Sequence, residues 1–212
     1  MSLKLPRGLY ALIDDGVRAD LPDAAKARAA INGGARVLQL RLEQTVDRLA
    51  PPIIREVVTQ ARRADVLVIV NDRVDLALLG GAHGVHLGAD DLPVMEARRL
   101  RGPELLVGAT CRTLEEVLTA QGQGADHAGV GPLFQTSTKV VAHPPLGLAE
   151  FAKIAKASPI PVIGIGGIGL DTIGAVADAG AHCAAVAGGL LQAPDIADRA
   201  RALQAAFFEG VK

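Results

Sequence analysis

The chain has 212 residues, half of them hydrophobic, and its 22 basic and 23 acidic side chains nearly cancel. That describes a globular protein with material for one large core, and it gives no electrostatic reason to expect nucleic acid or a membrane surface as partner. With one Tyr, four Phe and no Trp there are few platforms for stacking bases, so small molecules become the expected ligands.

The opening residues, Met1-Ser2-Leu3-Lys4-Leu5-Pro6, carry neither the apolar run nor the cleavage site of a signal peptide. The first apolar run, 9–13, ends in Asp14-Asp15 and precedes a helical pattern over 22–32 that stops at Gly33-Gly34. The second run, 37–40, leads into Arg41, and strand alternation puts Gln39, Arg41 and Glu43 on the face of Val37. A helix over 49–63 follows. The third run, 66–70, opens into Asn71-Asp72-Arg73, with a short helix over 73–79 ending at Gly80-Gly81. The fourth, 84–87, contains His86 and is followed by Asp90-Asp91 and a helix over 92–100. Run 105–109 leads to Thr110, and the helix 113–121 ends near Gly124. Run 128–130 opens into a long loop carrying Thr136, Thr138 and Lys139, then a helix over 148–157. Runs 161–165 and 184–187 end in Gly166-Gly167 and Gly188-Gly189, with helices over 170–179 and 194–208.

These strands read as nearly continuous apolar runs, the pattern of a parallel sheet covered by helices. Eight strand-helix units in this length predict an α/β fold, a single (β/α)8 TIM barrel taking the whole of 1–212 as one catalytic domain, near the lower size limit of that architecture. An open doubly wound sheet is the alternative, but it usually needs fewer strands and often opens with a Gly-rich turn where this chain has Asp14-Asp15. No run approaches the roughly 18 apolar residues of a spanning helix. Cys111 and Cys183 lack metal-ligand or redox spacing, which fits a reducing cytoplasm.

Barrel active sites gather at the C-terminal strand ends, and there this sequence is polar and Gly-rich almost throughout. The glycines after the last two strands either leave backbone N–H groups open for a phosphate or merely permit tight turns. Asp72 and Asp91 follow neighbouring strands, as a hard cation such as Mg2+ bridging phosphate oxygens requires, although Asp91 can equally cap the helix that follows it. His86 reads as a core histidine or a ligand. Arg41, Arg73 and Lys139 would bring positive charge to this rim, although Arg73 begins a helix and can equally be a solvated residue, and a charge inside a barrel strand, as Arg41 is, demands a partner. Long loops such as the one carrying Thr136, Thr138 and Lys139 are often lids.

The ordered motifs resemble the thiamine-phosphate synthase family, small (β/α)8 enzymes, over nearly the whole chain. The carriers are Leu9-Tyr10 with Asp14, Gln39-Leu40-Arg41, Asn71-Asp72-Arg73-Val74-Asp75, Gly84-Val85-His86-Leu87-Gly88 with Asp91-Leu92-Pro93, Gly129-Val130-Gly131-Pro132 with Thr136-Ser137-Thr138-Lys139, and Ile165-Gly166-Gly167-Ile168. The resemblance implies an Mg2+-dependent transferase that condenses hydroxymethylpyrimidine diphosphate with a thiazole phosphate and releases pyrophosphate. It further implies Asp72 and Asp91 as metal ligands, and Arg41, Asn71 and Lys139 as catalytic contacts to the diphosphate. Gln39 and Thr110 would touch the pyrimidine, Thr136 and Thr138 the thiazole, and Gly167 and Gly188 its phosphate. Homodimers follow by analogy alone.

Four positions depart from the family pattern. Glu43 stands where a Lys is usual, Thr110 where a Ser is usual, Ala187-Gly188-Gly189 lacks a usual Ser, and Val141 replaces a usually acidic residue. Thiazole tautomerases, which resemble the synthases, typically carry a His just after strand five, where Thr110-Cys111-Arg112 stands here. A non-catalytic thiamine-precursor binding protein is the alternative from another class, motivated by Glu43 and the missing Ser.

Overall fold

In the computed structural model, which describes residues 3–101, 104–136 and 144–210, eight parallel strands close into a barrel among the described residues. They are β1 (Gly8–Asp14), β2 (Val37–Arg41), β3 (Leu67–Asn71), β4 (Gly84–Leu87), β5 (Leu106–Cys111), β6 (His127–Val130), β7 (Val162–Ile165) and β8 (Cys183–Val186). Each pairs with its neighbour in chain order, and β1 closes on β8 with Gly8 opposite Cys183. The helices α1 (Asp23–Asn32), α2 (Ala50–Arg62), α3 (Val74–Gly80), α4 (Val94–Arg101), α5 (Leu114–Gly122), α6 (Leu148–Ala157), α7 (Ile173–Asp178), α8 (Gly188–Leu191) and α9 (Ile196–Glu209) lie in sequence between and after the strands. The open-sheet alternative is thereby excluded.

Two elements were absent from the sequence expectation: a 3-10 turn, Asp47–Leu49, and the short α8 between β8 and the last helix. Helix α7 also starts at Ile173 rather than near 170. Gly166 and Gly167 have φ of 97° and 66°, and Thr172 Oγ1 accepts from Gly169 N at 2.9 Å, so this stretch is a built loop before the helix begins. Strand β5 carries Thr110, expected as its last residue, and runs one residue further to Cys111.

Side-chain alternation divides the strands' residues into two cores. Leu38, Leu40, Val68, Val70 and Val85 face outward into one cluster with the helices. Tyr10, Leu12, Val37, Ile69, Leu106, Ile163, Cys183 and Ala185 fill the barrel interior. Leu5 belongs to this inner cluster, with the carbonyl of Leu5 accepting from His182 Nε2 at 2.8 Å and that of Pro6 accepting from Cys183 Sγ at 3.1 Å. The segment before β1 therefore stoppers the N-terminal end of the barrel. Arg98 of α4 reinforces that end, donating to the carbonyls of Gly124 and Leu105 and pairing with Asp126.

Candidate active site

At the opposite, C-terminal end the interior opens into a cavity of about 650 Å³. The register that closes the barrel decides which residues line it: on β2 to β5 the last inward-facing positions are Arg41, Asn71, His86 and Thr110, with Asn71 opposite His86 and Thr110 opposite Gly129. Asp72 and Asp91, Thr136, Gly167 and Gly188 come from the loops above and line the same space. The eight residues given site roles by the resemblance, Arg41, Asn71, Asp72, Asp91, Thr110, Thr136, Gly167 and Gly188, thus converge on one cavity, with His86 beside them. Thr138 and Lys139, with Ser137 and Val141, lie outside the described residues.

Gln39 differs from expectation. It is 2 % exposed and does not line the cavity; its Nε2 donates to the Tyr10 hydroxyl at 3.0 Å while its Oε1 accepts from Arg41 Nε at 3.1 Å. The polar face of β2 is therefore a supporting relay, in which Tyr10 fixes Gln39 and Gln39 fixes the guanidinium plane. Burial drives the Tyr10 hydroxyl pKa up, so it stays a neutral hydrogen-bonding group. Glu43 falls beyond the end of β2 and is exposed. Its loop is stitched down by Asp15, whose Oδ2 accepts from Gln44 N at 2.9 Å, Thr45 N at 2.8 Å and Thr45 Oγ1 at 2.9 Å.

Arg73, expected to add charge to the rim, is turned away from it. Its guanidinium makes paired hydrogen bonds to Asp47 at 2.9 and 3.1 Å and to Asp75 at 2.9 and 2.7 Å, and it is absent from the cavity lining. That leaves Arg41 as the cation of the cavity wall among the described residues. Asp14, half-buried near Arg41 and Glu43, has its pKa raised, chiefly by burial.

Asp72 has φ of 62°, a left-handed conformation that Asp tolerates better than most residues but still at some cost, and its N–H donates to the His86 carbonyl at 2.8 Å. Strain of this kind at a strand end re-aims a side chain, here toward the cavity. Asp91 uses Oδ2 to accept from Gly88 N at 2.6 Å, closing the turn after β4. The donor types suit a hard cation such as magnesium: both carboxylates are oxygen donors at adjacent strand ends and line one cavity.

The far side of the cavity has another chemistry. Carbonyls of Ile165 and Gly166 are taken by Leu133 N at 2.8 Å and Phe134 N at 3.1 Å, which locks the loop after β7 against the loop after β6. A Cβ on Gly167 would lie 2.2 Å from the Gln135 carbonyl oxygen, so that close approach requires glycine. Gly188 and Gly189 begin α8, in which Leu190 N and Leu191 N donate to the Ala187 carbonyl at 3.0 and 2.8 Å; the N–H groups of the two glycines are the ones an anion could meet there. Because β3 and β7 are four strands apart in a ring of eight, the carboxylate-arginine region and the glycine region occupy opposite rims of one mouth.

Asp90, Gln135, Asp171 and Gln192 also line the cavity, although sequence reasoning gave none of them a role. Asp171 and Gln192 follow the two glycine pairs, the signal that could have found them. It also missed His127, fully buried one rung below the cavity, because the expected strand began one residue later.

A family model described as thiamine monophosphate synthase matches residues 9–190. The chain is 52% identical to the thiamine-phosphate synthase of Anaeromyxobacter dehalogenans over 203 residues, 96% of this chain and 89% of that protein. It is 51% identical to the thiamine-phosphate synthase of Myxococcus xanthus, covering 97% of this chain and 94% of the relative. Among solved structures, thiamine phosphate pyrophosphorylase from Pyrococcus furiosus superposes with a TM-score of 0.87 at 33% identity, covering 97% of each chain.

Proposed function

The chain belongs to the thiamine monophosphate synthase family, and from that premise we propose that it is the transferase that condenses hydroxymethylpyrimidine diphosphate with a thiazole phosphate, giving thiamine phosphate and pyrophosphate. The observation that carries this reading is the pair of anion-receptive regions on opposite rims of one cavity. A two-substrate condensation needs a diphosphate held on one side and a monophosphate on the other, with the reacting methylene carbon and ring nitrogen between. An enzyme acting on the thiazole phosphate alone would need only the glycine side.

In this reading Arg41 meets the diphosphate with a guanidinium plane already set by Gln39, so little side-chain entropy remains to be lost. Asn71, beside it on β3, donates its amide to the same group, and Lys139 adds charge from the loop after β6. Asp72 and Asp91 would hold Mg2+, which neutralises charge on a departing diphosphate when bound. As the bond from the pyrimidine methylene to the diphosphate oxygen breaks, the electron pair leaves with pyrophosphate, and the thiazole nitrogen then donates its pair to the methylene cation. Thr110 orients the pyrimidine from the floor, Thr136 and Thr138 the thiazole, and backbone N–H groups around Gly167 and Gly188 its phosphate. Orientation and charge stabilisation account for the catalysis; no general base is required.

The Ser missing at Gly188 is compatible with this scheme because backbone donors remain at the α8 N-terminus. A reducing cytoplasm suits the two buried cysteines, neither of which forms a disulfide, and no described helix is long and apolar enough to cross a membrane. The test mixes both substrates with Mg2+ and measures thiamine phosphate and pyrophosphate. Stoichiometric formation of both is expected; tight binding of both substrates with no pyrophosphate under any metal condition would make the chain a binding protein instead.

A further inference from the structure

The two rims of the mouth differ in charge as well as in shape. On the side of β2 to β4 the charged residues lining the cavity are Arg41, Asp72, Asp90 and Asp91. On the side of β6 to β8 it is lined by glycine backbone and by neutral side chains such as Gln135, Thr136 and Gln192, with one exception. Asp171, in the loop between β7 and α7, is the charged residue of that rim among the described residues. A rim that takes a phosphate ordinarily profits from a cation, and this one carries a carboxylate instead.

Close packing of glycines sets where that carboxylate lies. A Cβ on Gly169 would stand 2.9 Å from Asp171 Oδ1, so the carboxylate rests over the bare face of Gly169. A Cβ on Gly189 would lie 2.6 Å from the Ile168 carbonyl oxygen and 3.2 Å from Gly169 Cα, so the loop after β7 is pressed backbone to backbone against the start of α8. Gly169 thus has Asp171 on one side and Gly189 on the other, and all three line the cavity together with Gly167 and Gly188. Thr172 Oγ1, which accepts from Gly169 N at 2.9 Å, already holds this turn, and Asp171 is exposed beside it.

We infer that Asp171 is a specificity-determining residue: it keeps diphosphates off the glycine rim, so that each of the two phosphorylated substrates finds its own end of the mouth. This role rests on the reading of that rim as the thiazole phosphate site. A phosphate monoester carries about −1.5 to −2 charge at neutral pH, and a diphosphate ester or free pyrophosphate carries roughly one unit more. Backbone N–H groups are neutral donors that serve either. A neighbouring carboxylate repels both but repels the more highly charged group more, which is discrimination by added repulsion at some cost in affinity for the right ligand. Wrong entry matters in this reaction, because pyrophosphate is released into the same cavity and a pyrimidine diphosphate at the wrong rim would block its partner. Across the mouth, Arg41 offers the charge a diphosphate requires.

The test follows inhibition of the full chain by inorganic pyrophosphate, with thiazole phosphate varied and the pyrimidine diphosphate saturating, so that the Arg41 rim is occupied. In the parent, pyrophosphate should compete only weakly with thiazole phosphate. In Asp171→Asn its inhibition constant should fall about three- to fivefold while KM for thiazole phosphate falls about twofold at most, and the difference should fade with added salt. Asp171→Glu, which restores the charge, should behave like the parent. An unchanged inhibition constant in Asp171→Asn overturns the inference, and so does a fall matched by that of KM, which would mean general repulsion without discrimination. Should no form turn over substrate, the synthase reading fails, and calorimetric displacement of bound thiazole phosphate by pyrophosphate still decides the role of Asp171. Equal displacement from the parent and Asp171→Asn sinks it, and thiazole phosphate that binds neither form overturns both.

Discussion

At the lower end of the barrel Leu5 is pressed into an apolar interior, His182 and Cys183 tie down the segment before β1, and Arg98 gathers two carbonyls and a carboxylate. At the upper end the same strands finish in Arg41, Asn71-Asp72, Thr110 and glycine pairs, with Asp72 in a left-handed conformation and a short helix starting at Gly188. One end turns its polar groups onto the segment that closes the barrel, and the other lines a common cavity with them. The lesson is a division of labour along each strand, with stability below and binding above, which a substitution at each level can break or sharpen.

The largest effect is expected at the upper rim. Asp72→Asn keeps a residue that tolerates φ of 62° but removes the charge, so kcat/KM should fall roughly 100- to 1000-fold with a urea midpoint close to that of the parent. A comparable loss of stability would blur the division. The middle rung comes next. The pKa of His127 lies near 4, below its ordinary 6.5, so the unfolded chain takes up the proton first; the stability conferred by the neutral ring is fully present above about pH 6.5 and lost as pH falls toward 4. Urea unfolding across that range should show a decline on the order of 3 kcal/mol from this group, and His127→Phe should flatten it.

At the lower end Leu5→Ala removes a buried side chain that touches nothing catalytic. A destabilisation of about 2 kcal/mol is expected, with kcat per folded molecule unchanged, and an altered KM would show that the stopper communicates with the mouth. The smallest effect belongs to Glu43→Lys, an exposed loop position beyond β2. A KM for the diphosphate substrate about two- to fivefold lower is expected, fading with added salt, and unchanged binding would mean that Glu43 does not face that substrate.

Much of this organisation is legible in the sequence because it is local. Each strand-helix unit announces itself by an apolar run and a terminal glycine, and each rim residue adjoins the strand that carries it, so Arg41, Asp72 and Thr110 are found by walking off the end of a run. What could not be read depends on register around the ring. Gln39 looks like a cavity residue until Tyr10 is brought alongside it. Arg73 looks like rim charge until Asp47, 26 positions earlier, folds back to meet it. His127 comes to lie against His86, with ring centroids 5.6 Å apart, only when β4, β5 and β6 are set side by side. The stopper likewise joins residues 177 positions apart.

That last pairing bears on how the molecule is made. The first strand has β8 as one of its two neighbours, and Leu9 N donates to Gln204 of the final helix at 2.7 Å. A ribosome delivers β1 long before either exists. Throughout synthesis the outer edge of the first strand is an unpaired row of donors and acceptors, and the ring closes only when nearly the whole polypeptide has emerged. The vulnerable period of this protein is therefore its birth, and the segment that later seals the barrel is the one that waits longest for its partner.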